Sequence, residues 1–166
     1  HISLQRTIKP TALRYIFIVQ GEGRGHMTQA ISLFEMLQKN GHEVSHVFLG
    51  ASKRSSTPGF FTNKLSPVTV EQVESPNFIT DKSNKSVQII PSITTNLMRL
   101  GTFRKSLRRI QEVVTAKQPD VIINFYDFIG GLYNGLYKHN AKFICIAHQY
   151  LMYHPDFPFA KGALDR

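Results

Sequence analysis

The stretch from Tyr15 to His26 reads Tyr-Ile-Phe-Ile-Val-Gln-Gly-Glu-Gly-Arg-Gly-His. Its first five residues form a short apolar run, which predicts a strand buried on both faces of a parallel sheet. A glycine loop follows, and a helical pattern begins at His26. The apolar residues of that pattern recur at helical spacing, at Met27, Ala30, Ile31, Phe34 and Leu37.

A second strand follows the helix and completes a βαβ unit. Gly41 stands where a glycine often ends a helix, and the segment 43–49 is again apolar and β-branched. A strand, a loop, a helix and a strand in about 35 residues fit the parallel crossover of an α/β protein.

The rest of the chain continues this alternation. The segment 50–66 is polar and predicts a loop with room for a short helix. Three further segments predict strands, and two predict helices, the first of which opens at Pro91. The strands are 67–73, 121–125 and 143–147, and the helices are 91–118 and 128–139. Cys145 falls inside the last strand, which favours a core position.

This order predicts an α/β fold, a Rossmann-like open parallel sheet with helices on both faces. We expect one domain over residues 1–166, with a flexible start at 1–12. Ligands of such sheets bind beyond the carboxyl ends of the strands. Three polar clusters fall there and should meet: Gly21–His26, Tyr126-Asp127 and His148-Gln149.

Composition limits the class of protein. The chain has 166 residues, of which 42% are hydrophobic, enough for one buried core. It contains no apolar run of the roughly 20 residues that cross a bilayer. The net charge is +9, and the basic excess lies between Lys82 and Lys117. Such a surface attracts polyanions, but no nucleic-acid motif or interleaved aromatic platform accompanies it.

The glycine loop is the first candidate site. A strand–loop–helix junction offers backbone N–H groups and a helix dipole to anions and hydroxyl-rich ligands. The glycines at positions 21, 23 and 25 match neither a P-loop nor the dinucleotide fingerprint. The other interpretation is a tight turn that requires flexible residues.

Three side chains are candidates for chemistry, and each also has a structural interpretation. His26 is either a general base at a helix N-terminus or a polar first-turn residue. Asp127 either orients His26 or binds a substrate hydroxyl, or it caps the helix that starts at Phe128. His148 either lines a site or hydrogen-bonds a loop.

The basic helix also permits two interpretations. Residues 97–109 carry basic side chains beside an apolar stripe, a pattern typical of helices that lie on anionic membrane surfaces. In the alternative, the stripe is ordinary protein core.

The segment 21–30, with Gly41-His42-Glu43-Val44, resembles the amino-terminal signature of GT-B glycosyltransferases. It is most similar to the MurG-like group of lipid II N-acetylglucosaminyltransferases. The later pattern agrees, with Pro119-Asp120-Val121, Gly130-Gly131 and a strand that runs into His148-Gln149. The resemblance covers roughly residues 14–150. Glu22 and Arg24 replace small residues of the lipid II enzyme.

The resemblance implies the acceptor-binding domain of an inverting, nucleotide-sugar-dependent transferase. The donor would be a nucleotide-sugar, and the acceptor a glycan or a lipid-linked molecule. Neither a cofactor nor a metal is expected. A carboxyl-terminal nucleotide-sugar domain would complete the enzyme, so these residues alone should be inactive. A cytoplasmic location follows, with a possible peripheral membrane contact.

The resemblance also assigns roles by position. His26 matches the base of some GT-B families, and Glu22 or Asp127 could take that role instead. The remaining positions would line the cleft around the sugar and pyrophosphate: Gly21, Gly23, Arg24, Gly25, His148 and Gln149. The alternative function is a non-catalytic binding module or one subunit of a split glycosyltransferase.

Overall fold

The computed structural model of the protein describes residues 11–52, 56–75 and 100–146. Strands and helices alternate along these residues, as the apolar runs and helical periodicities predict. The elements are β1 (Arg14–Gln20), α1 (Arg24–Lys39), β2 (Glu43–Ala51), α2 (Gly59–Leu65), β3 (Val70–Glu74), α3 (Leu100–Lys117), β4 (Val121–Phe125), α4 (Phe128–Leu136) and β5 (Lys142–Cys145).

The described strands form one sheet in the order β3-β2-β1-β4-β5. Every neighbouring pair is parallel. The prediction of a Rossmann-like α/β fold is therefore confirmed. The sequence order reverses between β1 and β4, so the end of β1 lies at the switch point where such sheets bind ligands.

Helices cover both faces of the sheet, because the central strand is apolar on both sides. Phe17 and Val19 pack in a core with residues of α1 and α2. Ile16 and Ile18 pack in a second core with residues of α3 and α4. All four side chains are fully buried, which explains why β1 reads as an uninterrupted apolar run.

Some boundaries differ from the predictions. Helix α1 begins at Arg24, two residues earlier than expected. Helix α4 ends at Leu136 rather than near His139, because Tyr137 has extended backbone angles. The rings of Tyr137 and His139 both stack on the buried ring of Tyr133. These contacts hold the chain after α4 against the domain.

The predicted core position of Cys145 is wrong. Its side chain is exposed, because β5 is the last described strand of the sheet and pairs on one side with β4. An apolar run alone does not distinguish a central strand from an edge strand.

The described part of the apolar stripe of α3 belongs to the core. Phe103, Leu107 and Ile110 are buried against the sheet and α4. The predicted start of this helix at Pro91 lies outside the described residues. None of the described helices combines the length and apolar character that crossing a bilayer requires.

Candidate functional site

The glycine loop is fixed to the end of the neighbouring strand. The backbone N–H of Gly21 donates a hydrogen bond of 2.7 Å to the carbonyl of Gly50 in β2. A Cβ on Gly21 would lie 2.9 Å from that same oxygen. Position 21 therefore admits no side chain without moving the loop.

Helix α1 begins at this loop without a capping side chain. Gly23 is its N-cap residue and adopts φ 98°, a conformation that favours glycine. Gly23 has no side chain to occupy the first N–H groups of α1. These groups and the helix dipole suit an anion or a sugar hydroxyl.

Side chains of the first turn of α1 face two aromatic rings. The guanidinium of Arg24 lies 5.4 Å from the ring centre of Phe60 in α2. The imidazole of His26 stacks on Tyr126, with ring centres 5.7 Å apart and planes 22° apart. The Nδ1 atom of His26 is shielded from solvent. The imidazole ring as a whole is partly exposed.

A groove of about 610 Å³ runs beside this turn, between α1 and the ends of β4 and β5. Gly25 lines it, together with Gln29, Phe125 and Ile146. The predicted glycine-loop residues therefore lie beside an open groove at the carboxyl edge of the sheet.

The turn after β4 is held by a reciprocal pair of hydrogen bonds. The Nδ2 of Asn124 donates to the carbonyl of Asp127 over 2.9 Å, and the N–H of Asp127 donates to the Oδ1 of Asn124 over 3.1 Å. Between them, Tyr126 adopts φ 57°. This left-handed conformation is uncommon for a bulky residue.

Asp127 caps α4, which confirms its structural interpretation. Its Oδ1 accepts hydrogen bonds from the N–H groups of Ile129 and Gly130, at 2.8 and 3.4 Å. The hydroxyl of Ser75 donates to the same oxygen over 3.0 Å. Asp127 is 3% exposed. Burial raises the pKa of its carboxyl group to about 6, and the three hydrogen bonds partly oppose that shift.

The proposed role of Asp127 as a catalytic group stays a prediction, and its surroundings favour a positioning role. Its carboxylate packs against the backbone of Gly50, where a Cβ would lie 2.0 Å from Oδ2. A carboxylate enclosed by Gly50, Ser75 and the start of α4 has little surface left for a substrate.

Glu22 lies at the same edge but is exposed. Its Oε1 accepts a hydrogen bond of 3.2 Å from the N–H of Ser52, just after β2. The topology thus brings Glu22, His26 and Asp127 to the carboxyl edge, as predicted. His148 and Gln149 lie outside the described residues, so their place at this edge stays a prediction.

Sequence reasoning missed two contributors to the site, Gly50 and Asn124, and, although it placed Tyr126 there, it did not predict the contact of the Tyr126 ring with His26. A signal existed for Asn124, since a polar amide inside the apolar run Val121–Phe125 must find buried partners. Gly50 carried a weaker signal as a glycine at a strand end. The stacking of Tyr126 on His26 joins segments 100 positions apart and has no local signature.

A second cavity, of about 660 Å³, lies away from these residues. It is formed by the end of α3 and the segment before β5, and Gln111, Asn134 and Lys138 line it. Among the described residues, no group of three His, Cys, Asp or Glu side chains could hold a metal ion.

An open parallel sheet with a glycine loop at its switch point defines a Rossmann-like α/β protein. The sequence model described as Glycosyl transferase family 1 matches residues 13–160. The chain therefore belongs to glycosyl transferase family 1.

One solved structure similar to this chain is the crystal structure of CalG4, the calicheamicin glycosyltransferase. The two share 17% sequence identity and superpose with a TM-score of 0.36. The similarity covers 68% of this chain and 26% of that one. The chain thus spans about a quarter of that solved protein. No curated protein sequence matches it.

Proposed function

We propose that this chain is the acceptor-binding domain of a nucleotide-sugar-dependent glycosyltransferase that inverts the anomeric carbon. The observation that carries the proposal is the position of His26. Its imidazole lies in the first turn of α1, directly after the glycine loop, stacked on Tyr126 and partly exposed. Membership of glycosyl transferase family 1 supports the reaction class.

In the proposed reaction, the Nε2 of His26 accepts the proton of an acceptor hydroxyl. The acceptor oxygen attacks the anomeric carbon of the donor sugar, and the bond from that carbon to the phosphate oxygen breaks. The electron pair of that bond leaves with the nucleoside diphosphate. Solvent then takes the proton from the imidazolium. Attack from the face opposite the leaving group inverts the configuration.

The glycine loop would receive the donor phosphates. Gly21, Gly23 and Gly25 keep side chains away from the start of α1, where backbone N–H groups favour anions. The guanidinium of Arg24, held over Phe60, adds a positive charge at the same place. A glycan or a lipid-linked molecule would supply the hydroxyl, and no cofactor is required.

A peripheral membrane contact from the cytoplasmic side is a further part of this proposal. Arg104, Lys105 and Arg108 are exposed on α3 and could meet anionic headgroups. Arg109 contributes less, because its guanidinium pairs with Glu71 at 2.7 Å and with Glu112 at 3.1 Å. Since the described apolar stripe is buried, the contact would be electrostatic.

A transfer assay tests the proposed function. Protein from the complete reading frame is incubated with labelled nucleotide-sugars and with panels of glycan and lipid-linked acceptors. We expect a labelled product whose anomeric configuration, measured by NMR, is opposite to that of the donor. Retention of configuration would contradict the inverting mechanism. Acceptor binding without any transfer would favour a binding module or a subunit of a split enzyme.

A further inference from the structure

Tyr126 occupies a backbone conformation that costs free energy. Its φ of 57° lies in the left-handed region, which is unfavourable for residues other than glycine. Glycine or asparagine would fit there with less strain. A favourable contact of the tyrosine side chain must therefore offset the unfavourable backbone conformation.

Core burial does not account for the tyrosine. The side chain is 39% exposed, in contrast to Phe125, the preceding residue, which is fully buried. The ring nevertheless has a defined partner, because it lies nearly parallel to the imidazole of His26 at 5.7 Å. The strained backbone thus presents an aromatic ring to the one histidine in the glycine-loop helix.

The turn itself is built to hold this conformation. Asn124 and Asp127 exchange two hydrogen bonds across Tyr126, and Asp127 is anchored in turn by Ser75 and by the start of α4. The backbone of Tyr126 is therefore fixed by β4, by α4 and by Ser75, which directly follows β3. A ring on so rigid a support restrains the plane of the imidazole that stacks on it.

We propose that Tyr126 is a positioning residue that holds the imidazole of His26 in the orientation required for proton transfer. This inference rests on the proposed function, in which His26 is the base. The phenyl ring carries the effect, and the hydroxyl group is dispensable. The two rings lie nearly parallel with their centres 5.7 Å apart, so the Tyr126 ring limits how far the imidazole can turn.

Three variants separate the effect of the Tyr126 ring from the effect of its backbone conformation. Tyr126→Gly removes the ring and relaxes the backbone, because glycine adopts positive φ freely. Tyr126→Asn also removes the ring and tolerates the left-handed region. Tyr126→Phe keeps the ring and is the matched control. Circular dichroism and thermal unfolding show whether each variant is folded.

The first readout is the NMR spectrum of His26, which needs no substrate. Its ring-proton resonances are assigned by their absence in His26→Gln. We expect an upfield ring-current shift in the wild-type protein and in Tyr126→Phe, and its loss in Tyr126→Gly and Tyr126→Asn. Unchanged His26 resonances in both ring-free variants would overturn the proposal.

The second readout is the division of the effect between kcat and KM. Misplacing a catalytic group by about 1 Å costs about 10²-fold in rate, so we expect that loss in kcat for Tyr126→Gly and Tyr126→Asn. KM should change little, and Tyr126→Phe should retain the wild-type kcat. A ring-free variant that keeps full kcat, or one that alters KM alone, would overturn the positioning role.

The two proposals fail in different ways. If His26 is not the base, His26→Ala and Tyr126→Gly both keep their turnover. The His26 resonances of Tyr126→Gly still differ from those of the wild type. If His26 is the base but Tyr126 does not position it, His26→Ala loses turnover and Tyr126→Gly does not.

Discussion

Gly50 and Asp127 show at the scale of single residues how tightly the site is packed. The Asp127 carboxylate occupies the space that a side chain at position 50 would need. The carboxylate cannot retreat without losing the bonds to Ser75 and to the first turn of α4.

We expect Gly50→Ala to lower the free energy of unfolding by about 1–3 kcal/mol, the usual cost of overpacking. Urea denaturation of Gly50→Ala and of the wild type measures the difference in the free energy of unfolding. Gly135→Ala is the control, since nothing lies within 4 Å of a Cβ at that helical position. The control should be stabilised by about 0.5–1 kcal/mol. Equal stability of Gly50→Ala and the wild type would show that the site can relax.

Asp127 should make stability depend on pH in a defined direction. Burial raises its folded-state pKa to about 6, above the value of about 3.9 in an unfolded chain. The folded protein therefore holds the proton more tightly. The resulting stabilisation is complete below about pH 4 and is lost as the pH rises through about 6.

The comparison with Asp127→Asn isolates this contribution. The variant keeps an acceptor oxygen for the α4 cap but does not titrate. From pH 4 to pH 7, the stability of the wild type relative to the variant should fall by about 2 kcal/mol. Urea denaturation at the two pH values measures it. A difference that stays constant or grows with pH would contradict the buried, raised-pKa carboxyl.

At the scale of elements, strands were predicted best where burial is complete. The run Val121–Phe125 was placed correctly because every residue in β4 is buried. Helix α2 has only seven residues, too few for a clear period, so the sequence predicts only a loop with room for a short helix. The exposure of Cys145 was missed because edge position depends on sheet order, which apolarity does not encode.

Helix α3 carries a prediction about its charges. Since Phe103 and Leu107 are buried, binding to a membrane must rely on the exposed cations. We expect co-sedimentation with anionic vesicles at low salt and its loss at 1 M salt, where the Debye length is about 3 Å. The triple variant R104E, K105E and R108E should not bind at low salt, whereas the control K39E on α1 should.

Two results would contradict this account of α3. Binding that persists at high salt would require apolar insertion, for which the buried Phe103 and Leu107 are not available. The absence of any binding to anionic vesicles at low salt would remove the membrane contact from the proposal.

At the scale of the whole molecule, topology assembles the candidate site from distant segments. The parallel order of β2, β1 and β4 follows from the βαβ rules, so the meeting of the glycine loop with the Tyr126-Asp127 turn could be predicted from the sequence. The stacking geometry and the enclosure of Asp127 could not, because they depend on side-chain packing across three strands.

The role of His26 as the general base is tested most directly by the kcat of His26→Ala in the transfer assay, measured with protein from the complete reading frame. Loss of a general base predicts a decrease of about 10²-fold or more. His42→Ala is the matched control, because His42 lies just before β2 and its Nδ1 accepts a hydrogen bond from Leu13. The control should keep its turnover. An unchanged kcat in His26→Ala would contradict the account.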